Sequence, residues 1–150
     1  MLLTDAIHTR WEADATLEAA LPVSRLKTIE NVGGSASTDP GEAEPTPGTV
    51  STPFCVVSID GAGPSLNTNA GTVDLVDVTF QLFHASYATG RVIANHIKRV
   101  FSRVKFNVGT GEQVINMKRR SGGYTELRDP DGTFRFVMGF DVQDYLVAGY

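Results

Sequence analysis

Covalent staples, membrane-length apolar runs and a dominant charge are all missing from this chain. Its 150 residues include a single cysteine, Cys55, so no disulfide can close within the chain and no paired-cysteine pattern exists for a zinc site or a redox centre. Cys55 lies in the apolar run Phe54-Cys55-Val56-Val57, where a buried packing residue is the expectation. No stretch approaches the roughly 20 consecutive apolar residues that cross a bilayer. The start, Met1-Leu2-Leu3-Thr4-Asp5, lacks the basic region and apolar run of a secretory leader. Synthesis in the cytoplasm and no membrane partner are therefore expected. The formal net charge is only -4 with 20% charged residues, which argues against charge-driven disorder and against a strongly basic nucleic-acid binder.

Catalytic signatures are equally scarce. His8, His84 and His96 have no partners at metal-ligand spacing, and no His-Glu-x-x-His pattern occurs. They read as surface or helix-flanking residues. Gly61-Ala62-Gly63-Pro64 is followed by no Lys-Ser or Lys-Thr pair, so it is a turn and not a phosphate-binding loop. Ser58 and Ser65 lack the Gly-x-Ser-x-Gly setting of a nucleophile elbow. Asp129 and Asp131 lack the further acidic ligands of a calcium loop, and turn chemistry accounts for both. No catalytic, cofactor-binding or metal-binding residue is assigned, and no enzyme activity is expected.

What is present is an ordinary folding pattern. With 41% hydrophobic residues, a chain of this length forms one domain, residues 1–150, burying roughly 70% of its extended surface. Residues 4–20 read as a helix started by Thr4 or Asp5, with Ile7, Trp11 and Ala15 on one face and Pro22 as the stop. A short strand, Arg25 to Ile29, follows. From Asn31 to Pro53 the composition turns to Gly, Ser, Thr, Pro and Glu, predicting a long Pro/Gly-rich loop or arm.

Phe54 to Ile59 reads as a buried strand. In Val76 to Phe83, Val76, Val78, Phe80 and Leu82 alternate with Asp77, Thr79 and Gln81, so one face packs and the other is wet. Over Ser86 to Lys105 the period changes, and Ile93, Ile97, Val100, Phe101 and Val104 form the stripe of an amphipathic helix. Three strands close the chain: Gln113 to Lys118, Tyr124 to Arg128 and Thr133 to Tyr145, separated by turns at Gly122-Gly123 and Asp129-Pro130-Asp131-Gly132. The last strand alternates Phe134, Phe136, Met138, Phe140 and Val142 on one face. The fold class is α+β, a mainly antiparallel sheet with an N-terminal and a central helix on one face.

At this point the chain resembles a family. A Trp-bearing first helix precedes Pro-Phe-Cys-Val-Val-Ser after a variable loop. Val78-Thr79-Phe80-Gln81-Leu82-Phe83 then leads into Tyr87-Ala88-Thr89-Gly90 and an amphipathic helix, and an Asp-Pro-Asp-Gly hairpin closes the chain. In this order the segments resemble the tail-terminator or tail-completion proteins of long-tailed bacteriophages and prophages. The resemblance is one of pattern over nearly the whole chain, the arm at residues 31–53 excepted. It implies a virion protein of the tail or neck that forms a homo-oligomeric ring, a hexamer. Such a ring caps the tail tube, stops its polymerisation and joins it to the head connector or stopper, with DNA only as passing cargo. It implies no catalytic residues and no cofactor. Another neck protein, a head-tail joining or stopper subunit, is the nearest alternative. A small soluble ligand-binding or catalytic domain is the more distant one.

The residues independently point to candidate assembly surfaces. Residues 1–85 carry a charge of -8 and residues 86–150 a charge of +4. Opposed patches of this kind favour register between neighbouring subunits, although a solvated helix face explains Arg91, Lys98, Arg99 and Arg103 equally well. Lys118, Arg119 and Arg120 form a basic run that fits a protein interface, phosphate binding, or simple protection of a strand edge. Glu42 and Glu44 in the Pro-rich arm, and Asp129 and Asp131 in the turn, complete the candidate interface.

Overall fold

The computed structural model describes residues 2–28, 51–61 and 65–148. The arm predicted at 31–53, with Glu42 and Glu44, lies outside the described residues except at its last three positions.

The first helical segment is two helices, α1 (Leu3–Ala13) and α2 (Ala15–Ala20), where the apolar spacing predicts one. Asp14 interrupts them with extended backbone, and its carboxylate accepts the Leu17 N–H at 3.0 Å. A side chain that satisfies an orphan N–H of the next helix makes the restart inexpensive. Asp5, expected as a start signal, sits inside the first turn and accepts the Leu2 N–H at 3.0 Å. Trp11 is buried as expected, and its indole donates to the Leu21 carbonyl at 2.8 Å.

A short 3-10 turn (Val23–Arg25) then leads into a series of strands and one further helix. These are β1 (Leu26–Thr28), β2 (Phe54–Gly61), β3 (Leu66–Asn67), β4 (Gly71–His84), α3 (Tyr87–Phe101), β5 (Val104–Gly109), β6 (Glu112–Arg128) and β7 (Phe134–Val147). The sheet runs β1-β2-β4-β7-β6-β5, with β3 also on β4. Among the described residues only β1 and β2 pair in parallel; the other pairs are antiparallel. The fold is therefore mixed α+β with an antiparallel-rich sheet.

Two sequence expectations change in the second half. The central helix ends at Phe101 and not at Lys105, because Ser102 turns extended and Arg103 takes the left-handed conformation at φ 54°. Val104 and Lys105 thus belong to β5, a strand the helical stripe had concealed. The strands expected over 113–118 and 124–128 are one strand, β6. Gly122-Gly123 is not a turn between them but part of a bulge, since Arg119 pairs with Phe140 and Tyr124 with Met138. Gly122, at φ 71°, supplies a left-handed residue that lets the strand absorb the extra length.

The alternation along β4 and β7 sorts the two faces as expected. Val78, Phe80, Leu82, Phe136, Met138, Phe140 and Val142 join Trp11, Ile93, Ile97 and Phe101 in one buried cluster under the helices. Phe80 is its centre, with ring centroids 4.9 Å from Phe101, 5.6 Å from Phe140 and 6.2 Å from Trp11. α3 is set close to the sheet at Gly90, where a Cβ would come within 2.5 Å of the Phe136 ring. Phe54, Val56 and Phe83 form a smaller cluster on the opposite face. Cys55 is fully buried in the helix-side core, and burial pushes its thiol pKa up. Because Phe80 packs against rings from α1, α3 and β7, Phe80→Ala is expected to cost about 3–5 kcal/mol, measured as a lower denaturant midpoint in equilibrium unfolding.

Candidate functional site

Of the candidate interface residues, three are engaged within the chain. Asp129 pairs with Arg135 at 3.0 Å, and Asp131 accepts the Thr133 N–H at 3.0 Å. The Gly132 N–H donates to the Asp129 carbonyl at 2.9 Å, closing the expected turn between β6 and β7. Arg120 is turned by the bulge across Gly139 on the face away from the helices. There its guanidinium reaches Asp77 at 2.8 Å and Asp141 at 3.2 Å. Asp77 and Asp141 are directly opposed on β4 and β7. Two like charges so placed repel, and Arg120 neutralises them. All three side chains are partly exposed, so the contribution is modest.

Lys118 and Arg119 remain exposed. With Lys98, Arg99 and Arg103 from the end of α3 they line a cleft of about 710 Å³, floored by Tyr124 and the bulge glycines. The cleft exists because β5 pairs with β6 only as far as Met117, which leaves the bulged half of β6 beside the helix end. Arg99 is spent on Asp14, with nitrogen–oxygen distances of 2.9 and 3.0 Å. That pairing, with the Leu17 N–H, holds the Asp14 carboxyl at about 2. The Lys98 ammonium lies 3.8 Å from the Tyr124 ring centroid. Burial, then the charges of Arg119 and Arg91, lower its pKa. Among the described residues Arg103, Lys118 and Arg119 make no ion pair. The cleft is thus a concentration of cations, of which Arg99 and Arg120 are paired, Lys118 stands opposite Asp141 across the sheet, and Lys98 feels the charge of Glu126.

A second cluster, of opposite sign, was not singled out in the sequence. Asp144 continues the inward parity of Phe140 and Val142, and it is 6% exposed. It is paired across the sheet with Asp74 on β4 and Val114 on β6. Burial, followed by the hydrogen-bonded Glu112 carboxyl and the charge of Asp74, raises its pKa to about 8. Asp74 accepts a hydrogen bond from the Ser65 hydroxyl, while Oδ1 of Asp144 has no protein partner. The legible signal was the parity: an acidic residue at a position the alternation assigns to the packed face.

The histidines are dispersed. His8 lies between the carbonyls of Thr4 and Leu26 at 2.7 and 3.1 Å. His84 accepts the Ser86 N–H at 2.9 Å. Among the described residues no group of three or more His, Cys, Asp or Glu side chains could hold a metal ion. No described helix is long and apolar enough to cross a membrane.

No protein-family model and no curated protein matches the sequence. Among solved structures, the chain is similar to one from a structure described as the virion of a native gene transfer agent (GTA) particle. The TM-score is 0.69 and the identity 14%, over 95% of this chain and 94% of that one. At that identity the likeness shows a shared fold.

The buried Asp144 carries a pH signature. Its folded pKa, about 8, lies above the ordinary 3.8, so the folded state holds a proton that the unfolded chain releases. Stability should therefore fall as pH rises from about 4 through about 8. Asp144→Asn, which needs no proton, is expected to unfold at a higher temperature than the parent at pH 8 and to flatten the pH dependence between those limits, read by thermal melts across the range.

Proposed function

We propose that this chain is a structural virion protein, a tail terminator that assembles as a homo-oligomeric ring on the end of a tail tube. In this role it stops tube polymerisation and offers the surface on which the head connector or stopper docks. The observation that carries the reading is the end-to-end likeness to a chain from a virion particle, 95% of this chain against 94% of that one. A fold shared over nearly all of both aligned chains supports a comparable architectural role. The sequence resemblance to tail terminators points the same way from separate grounds. So does the exposed basic cleft, a charged surface suited to positioning a neighbour. In this reading the chain has no catalytic role, and its partners are its own copies, the tube protein and the connector.

Deleting the gene from the genome that encodes it tests the role. Electron microscopy of the resulting lysate is expected to show tubes of abnormal and variable length that carry no heads. Complete particles with tails of normal length would contradict the proposal. Tails of uniform, normal length left unjoined to heads would assign the chain to another position in the neck.

A further inference from the structure

Among the described residues two charged clusters make no ion pair, and they lie on different parts of the molecule. The basic one gathers the exposed Arg103, Lys118 and Arg119 where α3 ends beside the bulge of β6. The acidic one gathers the carboxylates of Asp74 and Glu112, at the start of β4 and the start of β6, around the buried, protonated Asp144 at the end of β7. We propose that the two meet between copies: the basic cleft of one copy docks on the Asp74, Glu112 and Asp144 cluster of the next. The inference deepens the ring reading above by naming the surfaces through which copies touch.

The geometry favours a second copy as the occupant. A patch of one sign cannot bind itself, so the contact joins two different surfaces, and contacts of that type close into rings when the rotation permits. Asp74 and Glu112 are partly exposed, while Asp144 behind them keeps an unpartnered Oδ1 at 6% exposure. A planar guanidinium can satisfy such an oxygen and a neighbouring carboxylate together. Arg103 is held at φ 54°, a backbone conformation that glycine adopts without strain and arginine does not. The strained residue places one more cation in the cleft. A nucleic-acid backbone fits less well, because three free cations make a short footprint on a chain whose net charge is -4.

The test uses the full chain in sedimentation velocity at low ionic strength, with circular dichroism confirming each variant's fold. The parent is expected to associate. Lys118→Glu with Arg119→Glu cancels the unpaired positive charge of the cleft, and Asp74→Lys with Glu112→Lys makes the cluster basic, so each double variant alone should stay monomeric. Mixed in equal amounts they should associate in pairs, because the unaltered cleft of one variant then meets the unaltered cluster of the other. Arg103→Gly should melt at a higher temperature than the parent yet associate on the order of tenfold more weakly, a split that a purely structural role for Arg103 would not produce. A monomeric parent, either double variant associating like the parent, or a mixture of folded variants that stays monomeric would overturn the contact. Unchanged self-association of the Lys118→Glu, Arg119→Glu variant with loss of binding to a short DNA duplex would overturn it in favour of a phosphate site. Failure of these pairings with variable-length tubes in the deletion strain rejects the contact and leaves the terminator role standing. Intact pairings with normal tails in that strain do the reverse.

Discussion

The antiparallel ladder between β4 and β7 is the constraint from which the rest follows. All 14 residues of β4 are paired with β7, from Gly71 opposite Val147 to His84 opposite Phe134. Because side chains alternate across a strand, this one register decides both faces at once. It brings Phe80, Phe136, Met138 and Phe140 beneath the helices and sets Asp77 against Asp141 on the other side. A slip of one residue would bury the aspartates and expose the phenylalanines. The helices have only to cover the apolar face, and α3 does so with Ile93, Ile97 and Phe101. The same ladder lines up Asp74 with Asp144, so the acidic cluster is a product of the register and not of any local motif.

Much of this was legible because strong periodicity survives folding. The alternations of Val76 to Leu82 and Phe134 to Val142, the stripe on α3, the burial of Trp11 and Cys55 and the Asp-Pro-Asp-Gly turn all stand where the pattern placed them. The misread boundaries share a physical cause: a residue whose local role differs from its periodic one. Asp14 caps a new helix inside what reads as a continuous one. Arg103 adopts a left-handed conformation that nothing in an arginine announces. Gly122-Gly123 has turn chemistry but serves a bulge, because the partner strand β7 continues past it. Val104 fits the helical stripe equally well as the first residue of β5.

The candidate surface was legible as composition and not as arrangement. A run of three cations is visible at Lys118 to Arg120, but the sequence treats them as equivalent. The bulge separates them: Arg120 is withdrawn to neutralise Asp77 and Asp141, while Lys118 and Arg119 stay exposed beside the end of α3. Likewise Asp129 and Asp131 are occupied in building their turn. The charge difference between the halves of the chain does not map onto the two clusters, since Glu112 and Asp144 come from the basic half and only Asp74 from the acidic one. Bringing Asp74, Glu112 and Asp144 together depends on three strands far apart in sequence, which no window of residues can reveal.

In the proposed role, a sheet-and-helix body presents charged surfaces for assembly into a particle. The most direct measurement of that claim is the number of copies of this chain in purified particles, by quantitative mass spectrometry against the tube protein of the same particles. A small, fixed number per particle, far below the tube protein and unchanged by stringent washing, is the predicted result. Absence from washed particles, or a copy number that scales with tube length, would contradict it.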